Sequence, residues 1–196
     1  LLVLLLYLKR GYLLVALGSR ALNVKDPDEA KAWRLYAQGW KAGLPSHYTV
    51  MLGNLFVQRG DAAVALEIYD SVIGKEQRRR QGGDATITGA ARVGRSMALW
   101  VLGEKKQAID ELVSLRAEGR LDKNIVVNLG NYLLATGRVE EAGTLINEAS
   151  EHVPESLGMT DNRGHYLYLT GAYGEADVLY AKLLGESSPK FPEAYV

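Results

Sequence analysis

Residues Lys123 to Ser156 read KNIVVNLGNYLLATGRVEEAGTLINEASEHVPES and contain the pattern from which the architecture follows. Each half places apolar residues at spacings of three and four, which is typical of an amphipathic helix with one apolar face. Gly137 lies between the halves, and Pro154 follows the second, where its missing amide hydrogen forbids further helix. The stretch therefore predicts two short helices joined by a tight turn. The apolar residues are Val126, Leu129, Leu133 and Leu134 in the first helix, and Ala142, Leu145, Ile146 and Ala149 in the second.

Small residues in this pair indicate a close approach between helices. Gly130 lies on the first predicted helix, and Ala142 and Ala149 lie on the second. Larger side chains there would push the two axes beyond the separation of about 8–10 Å that packed helices keep. A single pair cannot bury its apolar face alone, so copies of it are expected elsewhere in the chain.

Copies of the pair recur with a period of 34 residues in the second half of the chain. The turn glycines are Gly103, Gly137 and Gly171, and the alanines that follow them are Ala108, Ala142 and Ala176. An earlier copy holds Gly60 and Ala65, which lie 43 residues before their counterparts. That longer step predicts an insertion of nine residues, around residues 78–88. A degenerate copy with Ala32, Tyr36 and Gly39 precedes it.

The period, the leucine–glycine pair (Leu129–Gly130), the recurrent alanine and the closing proline together resemble the tetratricopeptide repeat. The resemblance covers the chain from about Tyr12 onward. An aromatic or aliphatic residue four positions after the alanine belongs to the same pattern and is Tyr69, Leu112, Ile146 or Tyr180. The chain departs from the family at the first-helix tryptophan position, which holds Thr49, Arg92, Val126 and Thr160. Arg95 and Arg163 also replace the leucine in two units.

This resemblance implies an all-α fold, a right-handed α–α superhelix of about five antiparallel helix pairs. The expected units are residues 12–45, 46–79, 89–122, 123–156 and 157–190, with the insertion around 78–88. An apolar segment, residues 1–11, precedes the array. Residues 191–196 look like the start of a further repeat.

Composition bounds the function. Lysine and arginine together number 23, as do aspartate and glutamate, so the formal net charge is zero. No global field therefore favours nucleic acid, and no nucleic-acid partner is expected. The chain has no cysteine, which excludes disulfides and thiolate metal sites.

The chain opens with LLVLLLYLKR, in which residues 1–8 are apolar apart from one tyrosine hydroxyl. Eight residues are too few to cross a bilayer, which needs roughly 20. Three interpretations stand: the end of a membrane anchor flanked by Lys9 and Arg10, an amphipathic capping helix, or the remnant of a signal peptide. The anchor would place the repeats at the cytoplasmic face of the membrane, and the signal peptide would reverse that compartment.

No set of residues predicts catalysis, a metal site or a cofactor. The histidines, His47, His152 and His165, form no metal-spaced pair, and the H-E-x-x-H motif is absent. The glycines fall at repeat turns and match neither G-x-x-x-x-G-K-[ST] nor G-x-G-x-x-G. We therefore expect no enzymatic activity from this chain.

The resemblance instead implies a concave groove lined by the first helices, which binds a segment of another protein. The family pattern places two sets of side chains there. The first set is Asn54, Met97, Asn131 and His165, and the second is Val57, Trp100, Leu134 and Tyr168. Asparagine suits an extended peptide because its amide both donates and accepts hydrogen bonds. Trp100 and Met97 have an alternative role, which is to seal one repeat against the next.

Family members that bind a terminal carboxylate carry a lysine four residues before the groove asparagine. The matching residues here are Val50, Val93, Val127 and Asp161, which argues against a carboxylate and favours an apolar or helical segment. We therefore expect a scaffold or adaptor, bacterial in style and tethered to a membrane through residues before Tyr12. The alternatives are a self-associating component of a membrane assembly and the regulatory domain of a larger protein.

Overall fold

A computed structural model describes residues 9–79, 82–120 and 122–186 of the chain. Within these ranges the protein is all-α, as predicted, and contains ten helices and no strand. The helices are α1 (Arg10–Leu22), α2 (Glu29–Lys41), α3 (Ser46–Arg59), α4 (Ala62–Gln77), α5 (Ala85–Val101), α6 (Lys105–Ala117), α7 (Lys123–Ala135), α8 (Val139–His152), α9 (Leu157–Leu169) and α10 (Tyr173–Glu186).

The chain divides into two compact units between Gly103 and Glu104. Unit 1 contains α1 to α5, and unit 2 contains α6 to α10. The division falls at the turn of the predicted repeat 89–122, whose two helices therefore belong to different units. The other four predicted repeats each correspond to one helix pair inside a unit.

The turn glycines have the conformation that the repeat requires. Gly60, Gly103, Gly137 and Gly171 have φ angles of 95°, 85°, 73° and 85°. These values lie in the left-handed region, where a side chain would be strained. Each glycine follows the first helix of a predicted repeat, so the predicted turns are confirmed.

The recurrent alanines lie where helices pack. Ala65, Ala108 and Ala142 are fully buried, and Ala176 is only 1% exposed. The apolar stripes of the central pair, on α7 and α8, are also buried throughout. The spacing of these residues thus identified the inward face of each second helix.

Consecutive helices stack within each unit as in a helical solenoid. In unit 1, α1 packs on α2 and α3 packs on α4, while α5 packs on both α3 and α4. In unit 2, α9 packs on α7, α8 and α10. Each added helix therefore covers the apolar surface that the preceding pair leaves exposed.

Gly130 has a different neighbour from the one expected. Sequence reasoning placed it between α7 and α8, but a Cβ atom on Gly130 would lie 2.7 Å from Nδ2 of Asn162 on α9. Asn162 is 2% exposed and donates to the backbone oxygen of Val127 at 2.9 Å. Gly130 therefore allows the close approach of α9, which belongs to the next helix pair, and not that of α8.

A buried carboxylate holds the lengthened connection between α4 and α5. Glu76 is 0% exposed and accepts hydrogen bonds from Ser46 Oγ (2.5 Å), Asp84 N (3.0 Å) and Arg79 Nη1 (2.9 Å). The Ser46 hydroxyl and then the Asp84 amide hold the pKa of Glu76 below its usual value, although burial alone would raise it. Asp84 in turn caps α5 by accepting from two backbone amides. One side chain thus ties the start of α3 to the end of α4 and the start of α5.

Several segments for which the sequence made predictions lie outside the residues that the structure describes. These are the apolar segment 1–8, the tail 191–196 and, within the insertion, residues 80 and 81. No helix within the described ranges is both long enough and apolar enough to cross a bilayer.

Candidate functional site

The first helices of neighbouring pairs lie side by side in both units. In unit 1, α3 packs on α5, and in unit 2, α7 packs on α9. Each unit therefore presents a surface made of two adjacent first helices, which we call the α3/α5 face and the α7/α9 face. Four of the predicted groove residues lie on the helices of each face.

On the α3/α5 face, Asn54 is exposed and already has one internal partner. Its Oδ1 accepts a hydrogen bond from the hydroxyl of Tyr69 at 2.6 Å. Its Nδ2 has no hydrogen-bond partner among the described residues. The sequence predicted an amide that both donates to and accepts from a peptide, and the structure already uses one of the two lone pairs of its oxygen for an internal hydrogen bond.

Tyr69, whose hydroxyl sets this orientation, is tightly enclosed. Its side chain is fully buried, and burial raises the pKa of its hydroxyl well above the usual value. A Cβ atom on Gly53 of α3 would lie 2.7 Å from the ring, and one on Gly94 of α5 would lie 2.4 Å from it. The ring is thus held between two helix backbones, and its hydroxyl orients Asn54.

The other three residues of this face are partly covered. Val57 packs against the hydrophobic core of unit 1. Met97 and Trp100 are half-buried on α5. Their exposure is compatible with both roles considered above, partner contact and sealing of the stack.

On the α7/α9 face, Asn131 is half-buried, and its side-chain amide has no hydrogen-bond partner in the part of the chain that the structure describes. Tyr168 is 46% exposed, and its ring meets that of Tyr173 edge-on at 5.4 Å. His165 is half-buried. Leu134 is only 3% exposed, so it belongs to the core and offers a partner no surface.

Sequence reasoning missed two neighbours of Asn131. Asn124 and Asn128 lie on α7 seven and three residues before it, which places all three amides on one side of the helix. The spacing i, i+4, i+7 was the signal that would have found them. Asn128 donates through Nδ2 to the backbone oxygen of Asn124 at 2.7 Å.

Asn124 and Asn128 line a cleft of about 370 Å³ between α7 and the start of α9. Lys123 and Ser156 line it as well. The hydroxyl oxygen of Ser156 is buried and has no hydrogen-bond partner within the described residues. The cleft therefore combines two side-chain amides, one cation and one hydroxyl without a partner among the described residues.

The four residues that argued against a carboxylate ligand are mostly not on a surface. Val50, Val93 and Asp161 are 7%, 9% and 2% exposed, and only Val127 lines the cleft. Lys123 lies four residues before Val127 and supplies a cation there. The α7/α9 face thus carries a positive charge from Lys123, although none of those four positions holds a lysine.

A second cleft, of about 460 Å³, lies in unit 1 between the α2–α3 turn and α4, walled by Trp40, Leu44 and Lys75. None of the predicted groove residues lines it. No group of three histidine, aspartate or glutamate side chains among residues 9–79, 82–120 and 122–186 is placed to hold a metal ion.

No model of a known protein family matches this chain, and no curated protein matches it either. A function must therefore be argued from the geometry of the two faces and from the residues that they present.

Proposed function

We propose that this protein is an interaction scaffold that binds a segment of another protein on the faces formed by its first helices. The observation that carries the proposal is the amide of Asn131, which is half-buried and has no hydrogen-bond partner among the described residues. A partner that covers this partly exposed amide would have to pair with it, because covering a polar group without a hydrogen bond is costly.

The chemistry of the α7/α9 face suits a peptide. The amides of Asn124, Asn128 and Asn131 follow one another along α7, and each carries both donors and an acceptor. A peptide backbone presents donors and acceptors at regular intervals and can pair with such a row. Tyr168, which is 46% exposed, adds an aromatic surface of the kind that dominates interface energies.

The resemblance to tetratricopeptide repeats supports the same proposal, because that family uses its first helices to hold peptides. We include in it attachment to a membrane through the residues before Tyr12. The scaffold would then hold its partner at the membrane surface.

Self-association is a second candidate, favoured by one observation in unit 2. Val178 and Tyr173 on α10 are 68% and 59% exposed, and Leu184 is 47% exposed. Light scattering of the chain and of Val178→Asp decides this candidate. A monomer in both cases refutes it, and a dimer that the substitution dissociates supports it.

The peptide proposal is tested by selecting ligands from a peptide display library and measuring their affinity by calorimetry. Asn131→Ala removes the unpaired amide, and Asn147→Ala removes an exposed asparagine from α8 of the same pair. One lost hydrogen bond is worth about 0.5–1.5 kcal/mol, so Asn131→Ala should weaken binding about 2- to 12-fold. Asn147→Ala should leave the affinity unchanged.

The α3/α5 face is tested separately with Asn54→Asp. The aspartate keeps an acceptor for the Tyr69 hydroxyl, removes the donor that a peptide would use and adds one negative charge. The variant should fold normally and lose affinity for any ligand held on unit 1. Selected peptides whose affinities do not change in either face variant would refute the groove as the binding site.

A further inference from the structure

Helix α1 packs on α2 through glycines. A Cβ atom on Gly11 would lie 2.9 Å from the backbone oxygen of Gly39, and one on Gly18 would lie 2.8 Å from the ring of Tyr36. The two backbones therefore approach closely along this side of α1, and α2 covers it. The opposite side of α1 faces away from α2.

The opposite side of α1 carries an apolar stripe. Leu13 is 44% exposed, Leu17 is 51% exposed, and Ala16 is exposed between them. The spacing of three and four residues places them on one side of the helix. The outward face of a helix in a water-soluble protein normally carries polar and charged residues instead.

Only cations flank this stripe. Lys9 precedes it and Arg20 ends it, both are exposed, and they lie about 16 Å apart along the helix. The sequence holds no acidic residue between Lys9 and Lys25, although the chain as a whole is neutral. The first carboxylates, such as that of Asp26, follow in the turn to α2.

We propose that this outward face of α1, residues Lys9, Leu13, Ala16, Leu17 and Arg20, lies on the surface of an anionic membrane. The leucines enter the boundary between headgroups and acyl chains, and the two cations contact the lipid phosphates. The inference deepens the membrane attachment contained in the proposed function and rests on it.

Two features favour lipid over a protein partner. The leucines are few, whereas a stable protein interface buries about 800 Å² on each partner. Lipid requires no complementary shape, and binding to it grows with whatever apolar area is inserted and with each nearby cation. In addition, the apolar residues 1–8 directly precede Lys9 in the sequence, so membrane attachment there would bring α1 to the lipid.

The absence of cysteine allows a clean measurement of depth. The full chain with Leu17→Cys is labelled with an environment-sensitive fluorophore and mixed with vesicles of phosphatidylcholine and phosphatidylserine. The matched control is Val178→Cys, which is 68% exposed on α10 in unit 2. We expect a blue shift of emission and quenching by a lipid-borne quencher at position 17 and neither at position 178.

Charge is tested in the same vesicles. Replacing Lys9 and Arg20 by glutamine should lower the vesicle affinity about 5-fold for each cation removed, since a basic residue near an anionic surface contributes about 1 kcal/mol. Vesicles of phosphatidylcholine alone, or added salt, should reduce the effect of the substitutions.

The outcomes separate the inference from its premise. If the chain binds vesicles while the label at position 17 stays in water, the membrane attachment stands and the lipid contact of α1 is refuted. If the chain binds no vesicles, both fail, although peptide binding is unaffected. A blue shift at position 17 that needs no vesicles and grows with protein concentration would instead show that the face meets a second copy of the chain.

Discussion

Replacing Glu76 by glutamine should destabilise unit 1 by about 1–3 kcal/mol at neutral pH. Glu76 is 0% exposed, and its two oxygens accept from Ser46 Oγ, Asp84 N and Arg79 Nη1. Glutamine has nearly the same shape, but one of its oxygens becomes an NH₂ group. The hydrogen bonds that depend on the negative charge are therefore weakened or lost, while no cavity is created.

The loss of stability caused by Glu76→Gln should become smaller as the pH falls. The pKa of Glu76 is lower in the folded state than its ordinary value of 4.5, chiefly because of the Ser46 hydroxyl and the Asp84 amide. A depressed pKa means that the carboxylate stabilises the fold fully above the unfolded-state pKa and loses this effect as the pH falls through the folded-state value. The difference between wild type and Glu76→Gln should thus be constant near neutrality and shrink below about pH 4.5.

Tryptophan fluorescence during urea unfolding measures this difference in the correct unit. All three tryptophans, Trp33, Trp40 and Trp100, lie in unit 1. Glu67→Gln is the matched control, because Glu67 is an exposed residue of the same helix and should change stability by no more than about 0.5 kcal/mol.

Two results would refute the reasoning about Glu76. One is a loss in Glu76→Gln no larger than that in the control. The other is a loss that does not shrink as the pH is lowered below about 4.5, since the depressed pKa of Glu76 requires the contribution of the carboxylate to fall there.

Four further substitutions can be followed by the same unfolding assay. Gly83→Ala should lower the free energy of unfolding by about 1–3 kcal/mol because its Cβ would lie 2.5 Å from the backbone oxygen of Glu76. An unchanged unfolding midpoint would show that the backbone between α4 and α5 shifts to accommodate the methyl group. Gly94→Ala should also destabilise the protein by about 1–3 kcal/mol, because its Cβ would clash with the ring of Tyr69. Gly74→Ala is the control: its Cβ comes no closer than 3.6 Å to Arg78, so it should stabilise α4 by about 0.5–1 kcal/mol. Tyr69→Phe should cost about 0.5–1.5 kcal/mol through the lost hydroxyl bond alone, and a larger loss would mean that the ring itself had moved.

The sequence predicted the helix pairs, their turns and their inward faces because these depend on local spacing. Turn glycines and packing alanines recur at fixed distances, and the structure places every one of them as expected. The neighbours contributed by the next pair were not predictable in this way. Gly130 meets Asn162 of α9, and Leu134 is buried, because stacking and not helix periodicity decides those contacts.

The hydrogen-bond partners of polar side chains also could not be predicted from the sequence. Glu76 reads in sequence as part of a charged, solvated helix end, and only the return of the chain at Asp84 buries it. Asn54 likewise reads as a peptide clamp, and only the position of Tyr69 shows that its oxygen is occupied. In both cases the partner lies on another helix or beyond a turn, where a sequence pattern carries no information about distance.

The pairing of Asn54 with Tyr69 also explains why Asn131 is the stronger candidate for ligand contact. Tyr69 lies 15 residues after Asn54, and the residue 15 positions after Asn131 is Ile146, which has no hydroxyl to donate. At the same sequence spacing, the apolar Met97 is followed by the apolar Leu112, and the polar His165 is followed by Tyr180, which carries a hydroxyl. Among these four residues, Asn131 is the one polar residue followed at this spacing by an aliphatic residue, so no side chain at that position can pair with its amide. We propose that a partner supplies a donor and an acceptor to this amide, in which case Asn131→Leu should be tolerated by the fold while abolishing that contact.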